Sequence, residues 1–356
     1  MDTLQKLLEL DIPKIEFIDR KYQISSTKTL LYGPPRSGKT YISYDFISNF
    51  DTKKRLYIDL SDLRIDVSKI EESLQEFINT NQIQALIIDN YEQNIKIPKC
   101  ENIVLISKKS YDIEGFDKIL VLPLDFEEFL AHDTKHQNIT TSFNNFFRFG
   151  NLSENMTLQD SKKSKKLQEM LKLNTKDELE LQAIKNIINS FGEKTSVFNL
   201  FNQLKRTTKV SKDRFYELCK SYEEQHIIFF VSKYDQPKAM KKLFLYNHAL
   251  KNAISFGKNF KNEFSNMVFL ELVRKYNEIT YLDGVDFYIP YNNSVILCIP
   301  FFNDLMISSI SNKIFHLLDI YKVSNITIIC VNDLQQTFFM GEIECNVVPF
   351  FVWALL

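Results

Sequence analysis

Nine residues, Tyr32–Thr40 (YGPPRSGKT), carry the types and spacing of a phosphate-binding loop. Gly33, Gly38, Lys39 and Thr40 match G-x-x-x-x-G-K-[ST], with Pro34, Pro35, Arg36 and Ser37 between them. The glycines let backbone N–H groups turn toward phosphate oxygens. The lysine reaches the β- and γ-phosphates, and the threonine hydroxyl ligates Mg²⁺. A helix starting near Gly38 adds its positive N-terminal end. Two further residues suit the same chemistry. Asp89 ends the run Gln84–Asn90 (QALIIDN), at the carboxyl end of a strand, where ligands bind in open α/β sheets. It is a candidate Mg²⁺ ligand, through water, opposite Thr40. Ser107 ends Asn102–Ser107 (NIVLIS) and is a weaker candidate for contact with a γ-phosphate.

These residues need a scaffold, and the flanking sequence supplies one. Lys28–Tyr32 (KTLLY) reads as a short buried strand before the loop, and Tyr41–Phe50 has helical spacing after it. Arg55–Leu60, Gln84–Asn90, Asn102–Ser107 and Lys118–Pro123 are apolar runs of strand length. Helical patterns lie at 2–10 and 66–80. Continuous apolar strands alternating with helices predict a parallel sheet covered on both faces. Further on, Asp177–Ser190, Val197–Leu204 and Lys212–Gln225 read as helices, the last capped by Ser211. His226–Lys233 and Lys242–Tyr246 then read as strands about a turn at Pro237. Three helices and a hairpin predict a winged helix-turn-helix, whose third helix can enter a major groove. Residues 141–155 are rich in aromatics, and Ser161–Lys166 (SKKSKK) reads as a solvated linker. In the last third, Lys261–Tyr276 reads as an amphipathic helix. Ile279–Leu282 and Val285–Ile289 flank a turn at Asp283-Gly284, followed by a strand at Ser294–Ile299, a helix at Ile307–Tyr321 and a strand at Asn325–Val331. The expected fold class is α/β: a P-loop parallel sheet core over 1–135, a helical lid and winged helix over 136–250, and a small α/β domain over 251–356.

Composition narrows the function. The chain has 356 residues, 44% hydrophobic and 25% charged, ordinary for a globular protein. Net charge is −1, so contact with nucleic acid needs a local patch. Such a patch exists: Lys194, Lys205, Arg206, Lys209, Lys212 and Arg214 stand against the single acid Asp213. Duplex DNA is therefore a candidate partner through residues 194–220. Glu217, Glu223 and Glu224 weigh against it and favour a protein-docking face. His132 and His136, in HDTKH, lack the glutamate and third ligand of a zinc helix and read as exposed residues at a helix end. The five cysteines form no C-x-x-C pair and read as buried thiols of a reducing compartment. Residues 1–20 hold no signal-like apolar core. Runs such as Val347–Leu356 reach about half of the ~20 residues a spanning helix needs. A cytoplasmic protein without membrane contact is expected.

The phosphate loop, LIIDN (Leu86–Asn90) and LPLDFEEFL (Leu122–Leu130) together resemble a prokaryotic branch of AAA-type ATPases. In that branch an ATPase core precedes a winged helix and a restriction-endonuclease-like domain. The resemblance implies ATP and Mg²⁺ as ligands. It also exposes departures. The family's second acidic motif is Asp-Glu, whereas Asn90 follows Asp89 here. Asn90 can orient a water but cannot take its proton at neutral pH. Glu92 is the nearest substitute, so Asp89, Asn90 and Glu92 form the candidate catalytic set. Lys108–Asp117 contains no arginine where the family tends to have one. A missing base costs ~10²–10⁴-fold in rate and a missing arginine finger ~10³–10⁵. A nucleotide-dependent switch with slow or absent turnover is expected. The alternatives are an active Mg²⁺-dependent ATPase, completed by Glu92 or a neighbouring subunit, and a non-catalytic docking protein. Of the family's nuclease residues only Asp286 remains. Cys298 and Pro300 stand where a charged residue and lysine would fall, and Glu263 or Glu271 would need exact placement to help. Nuclease activity is not expected, and a protein partner or a second copy of the chain is.

Overall fold

The computed structural model describes residues 2–10, 18–135 and 138–356. The chain divides into two compact units. Met1–Pro123 joins Glu224–Ile227 in the first, and Leu124–Glu223 joins Ile228–Leu356 in the second.

In the first unit, α1 (Asp2–Glu9) precedes β1 (Lys28–Tyr32), α2 (Lys39–Ser48), β2 (Arg55–Asp59), α3 (Val67–Asn81), β3 (Ala85–Asp89), β4 (Asn102–Ile106) and β5 (Asp117–Leu120). The five strands form one sheet in the order β2-β3-β4-β1-β5, and every pairing is parallel. Helices cover both faces, which is why the strands read as unbroken apolar runs. Leu30, Leu56, Ile58, Leu86, Ile88 and Leu105 face one core with Leu4 of α1 and Ile70, Leu74 and Phe77 of α3. Leu31, Ala85, Ile87, Val104 and Ile106 face the other, with Ile42 and Ile47 of α2. Side chains alternate along a strand. Tyr57, Asp59 and Asp89 therefore fall on the face that α2 covers, at the edge where α2 begins.

The second unit opens with α4 (Phe126–His132). Asp125 caps it and Glu128 closes a capping box, so part of the LPLDFEEFL stretch is a helix start. Next come α5 (Ile139–Phe149), α6 (Glu154–Thr157) and α7 (Asp160–Leu173). The expected linker at Ser161–Lys166 is instead the first half of α7. Its lysines are good helix formers, and Lys163 is buried over the Phe149 ring, paired with Asp160 at 2.9 Å. His132 ends α4, and His136 lies outside the described residues.

Helices α8 (Glu178–Asn189), α9 (Val197–Lys205) and α10 (Lys212–Glu224) follow, with β6 (Lys194–Thr195) between α8 and α9. Then come β7 (Ile228–Val231) and β8 (Lys241–Leu245), making a three-stranded antiparallel sheet ordered β6-β8-β7. After α11 (Leu250–Ile254), α12 (Phe260–Lys275) departs from the expected amphipathic pattern: every residue from Glu263 to Leu272 is buried. A helix buried all round has no polar face to show. Its Glu271 Oε1 accepts from Phe126 N at 3.0 Å, answering a free N–H of α4.

The last part holds β9 (Phe287–Ile289), β10 (Ser294–Cys298), α13 (Ile307–Ile320), β11 (Asn325–Cys330), β12 (Gln336–Met340), β13 (Ile343–Pro349) and α14 (Phe350–Trp353). The sheet order is β12-β13-β11-β10-β9. The three central strands are parallel, and both edges run antiparallel. The run Val347–Leu356 is thus the end of a central strand and a short helix. No helix among the described residues is long and apolar enough to cross a membrane.

Phe126 is fully buried and meets Phe143, Phe146 and Phe350 edge-on, at centroid distances of 5.4–6.3 Å. Phe126→Ala is expected to destabilise the second unit by about 3–5 kcal/mol. The readout is a urea midpoint that falls while the m-value holds.

Candidate phosphate-binding site

The loop between β1 and α2 holds its shape through two glycines. Gly33 has φ +134, and a Cβ there would lie 2.5 Å from the Val121 carbonyl oxygen. Gly38 has φ +95 at the head of α2, and a Cβ would come within 2.8 Å of Arg20 Nη1. Both positions therefore exclude a side chain. Arg20 clamps the loop from outside, donating to Ser37 O at 2.6 Å and to Leu122 O at 2.7 Å. Pro34 and Ser37 are buried, whereas Arg36 is exposed in the left-handed region at φ +60.

Lys39 and Thr40, the first residues of α2, point to different partners. The Lys39 ammonium donates to Gly33 O at 2.8 Å and Pro34 O at 2.7 Å, and lies 3.4 Å from Ser37 Oγ. The loop thus satisfies its own cation with carbonyls that a phosphate can replace. Desolvation pushes Lys39 down to about 8, opposed by the Asp89 carboxylate and aided by Lys108. The Thr40 hydroxyl donates to Asp89 Oδ2 at 2.8 Å. The Tyr57 hydroxyl donates to the same oxygen at 2.8 Å, and Asn90 N to Oδ1 at 2.7 Å. Burial raises the Asp89 pKa against these three donors. Burial and the nearby Asp89 charge also push the Tyr57 phenol up, so it remains a donor.

The pair Thr40–Asp89 fits Mg²⁺. Both groups are hard oxygens on one spot, and Mg²⁺ takes one or two carboxylates plus phosphates and waters. A dedicated cage is not needed, and among the described residues no group of three or more His, Cys, Asp or Glu could hold a metal. The structure brings Gly33, Pro34, Ser37, Gly38, Lys39 and Thr40 into one loop, with Asp89 against Thr40.

The remaining candidates are placed differently. Asn90 has φ +57, and its amide donates to Asp59 Oδ1 at 2.8 Å, with Ser61 Oγ at 3.2 Å. Glu92 is exposed, with Lys108 Nζ 3.8 Å away. Ser107 N holds β4 to β1 through Leu31 O at 2.9 Å, and its hydroxyl donates to the Lys109 carbonyl. Sequence reasoning missed Arg20, Tyr57 and Asp59. The ending of RLYIDL was the available signal for the last two, since alternation puts Tyr57 and Asp59 on one face.

No family model matches the chain. The uncharacterized protein MJ1544 of Methanocaldococcus jannaschii is 26% identical over 319 residues, covering 76% of this chain and 70% of its own. Among solved structures, the Walker-type ATPase PABY2304 of Pyrococcus abyssi covers 64% of this chain and 91% of its own, with TM-score 0.43 and 12% identity. The Aeropyrum pernix ORC1 protein, in complex with DNA, covers 64% and 85%, with TM-score 0.33 and 11% identity. The assignment of a P-loop-type parallel sheet rests on this chain's own strand order and loop geometry.

The lysine sets a pH test. Phosphate oxygens favour the ammonium form, so binding above pH 8 must take up a proton. Triphosphate affinity is expected to be level below about pH 8 and to fall by up to about tenfold per pH unit above it. Titration calorimetry in buffers of different ionisation enthalpy checks both the affinity and the proton uptake.

Proposed function

We propose that this chain binds Mg²⁺·ATP as an AAA-type protein and uses it as a switch with slow hydrolysis. The single observation that carries this is the convergence of Lys39, Thr40 and Asp89, with Thr40 Oγ 2.8 Å from Asp89 Oδ2. The slow rate follows from Asn90 in place of a glutamate, and from Glu92 lying exposed beside Lys108. ATP would occupy residues 33–40, with Ser107 meeting the γ-phosphate once its hydroxyl leaves the Lys109 carbonyl. ATP can shift the protein between states only by binding them unequally.

The three-part division at about 135 and 250 belongs to the same proposal. Helices α8, α9 and α10 with strands β6, β7 and β8 support a winged helix. Its basic patch is smaller than the sequence implies. Lys194 pairs with Asp283 at 2.8 Å, and Arg214 pairs with Asp177. Lys205, Arg206, Lys209 and Lys212 remain to meet DNA phosphates. The last domain supports a decayed nuclease. Asp286 Oδ2 accepts from Cys298 N at 2.8 Å, and Oδ1 lies 3.7 Å from Lys242 Nζ, so a lysine answers the charge a metal would need. Glu263 bonds Asn252 at 3.0 Å, and Glu271 bonds Phe126 N. All five cysteines are free, which fits a reducing, cytoplasmic setting.

Calorimetry with Mg²⁺·ATP tests the proposal. Wild type is expected to bind, and Lys39→Ala to bind about 10–150-fold more weakly, the worth of one charge-assisted bond of about 1.5–3 kcal/mol. Equal affinity in both proteins would contradict it. Steady-state turnover is expected well below the roughly 1–100 s⁻¹ of typical kinases. Duplex mobility shifts should weaken steeply between about 50 and 200 mM salt. No shift even at low salt would remove DNA and leave a protein partner.

A further inference from the structure

We infer that Asp59 is the carboxylate that holds the attacking water and accepts its proton, with Asn90 as its brace. This rests on the ATP-binding reading above and adds the group that performs the slow hydrolysis. The family's glutamate position is filled by Asn90, whose amide cannot take a proton at neutral pH. The structure puts a carboxylate on the neighbouring strand instead.

Asp59 ends β2 in direct register with Asp89, which ends β3. Both side chains lie on the face covered by α2, the helix that presents Thr40. Tyr57, two residues earlier on the same face, already reaches Asp89 Oδ2 at 2.8 Å. The left-handed backbone at Asn90 turns its amide back along this edge, and asparagine tolerates that conformation. The amide donates to Asp59 Oδ1 at 2.8 Å. Ser61 N and Ser61 Oγ donate to the same oxygen at 2.9 and 2.7 Å. Three donors on Oδ1 fix the carboxylate's orientation. Among the described residues no donor engages Oδ2. Asp59 lines a cavity of about 860 Å³ with Tyr44, Tyr57, Asp62 and Arg64, which gives water access to it. A carboxylate with one oxygen braced and the other free is arranged to hold a water.

In the proposed step the water oxygen forms a bond to the γ-phosphorus. The bond from that phosphorus to the β–γ bridging oxygen breaks, and its electron pair leaves with ADP. The water proton passes to Asp59 Oδ2 and from there to solvent through the cavity. Inorganic phosphate and ADP are the products, and no other reactant is consumed.

The test measures single-turnover phosphate release from Mg²⁺·ATP alongside nucleotide Kd for wild type, Asp59→Asn, Asp59→Glu and Asp62→Asn. Asp59→Asn is expected to slow release by ~10²–10⁴-fold while Kd stays within about threefold, a change under about 0.7 kcal/mol. Asp59→Glu should recover part of the rate. Asp62→Asn, in the same cavity, should match wild type. Release by Asp59→Asn at the wild-type rate overturns the inference. So does a wild type that binds ATP and releases no phosphate. Joint loss of binding and turnover in both Asp59 variants would make the residue structural and also overturn it. Failure of wild type to bind ATP at all would instead overturn the nucleotide-binding reading beneath it.

Discussion

The hydrogen bond from Thr40 to Asp89 ties the start of α2 to the carboxyl end of β3 in the first sheet. A carboxylate at a buried strand end is costly unless donors surround it. Here the threonine, a tyrosine and a backbone N–H all converge on it. The neighbouring lysine faces the same constraint with the opposite sign and answers it with loop carbonyls. The site is therefore self-satisfied, and on the proposed reading a metal triphosphate would take over the Lys39 ammonium and the Thr40 hydroxyl. That internal pairing lets a partly buried, charged loop persist in a stable fold.

The parallel sheet makes this convergence possible. All five strands end at one edge, so Tyr32, Asp59, Asp89 and Ile106 lead into loops on the same side. Helix α2, which begins there, supplies Lys39 and Thr40. Gly33 passes so close to the Val121 carbonyl that only hydrogen fits between them. Arg20 holds the loop from the segment before β1. The scaffold thus fixes the positions of Lys39, Thr40 and Asp89 through backbone contacts.

Much of the first unit was legible in the sequence because its strands are buried on both faces, so hydrophobicity marks them without ambiguity. The phosphate loop was legible because glycine spacing encodes backbone shape. Other parts were hidden for physical reasons. Lysine-rich Ser161–Lys166 looked solvated, since composition does not show that Lys163 lies along an aromatic ring. Helix α12 was recognised as a helix, but its burial was not, because Glu263, Asn266 and Glu271 mimic a polar face until their partners are known. In β13, Ile343, Cys345 and Val347 alternate with Glu344 and Asn346, a strand signal that the sequence does carry. Asp59 looked like an ordinary strand end. Only the register between β2 and β3 brings it beside Asp89, and register is not written in either strand alone. The cost of Asn90 was visible in the sequence, but its bond to Asp59 was not.

A crystal structure with Mg²⁺ and a non-hydrolysable ATP analogue tests the central claim most directly. The account expects the metal at about 2.0–2.1 Å from Thr40 Oγ, with Asp89 beside it. It also expects Lys39 Nζ to have left the Gly33 and Pro34 carbonyls for β- and γ-phosphate oxygens. A loop still closed on its own lysine, with the analogue bound elsewhere or not at all, would contradict it.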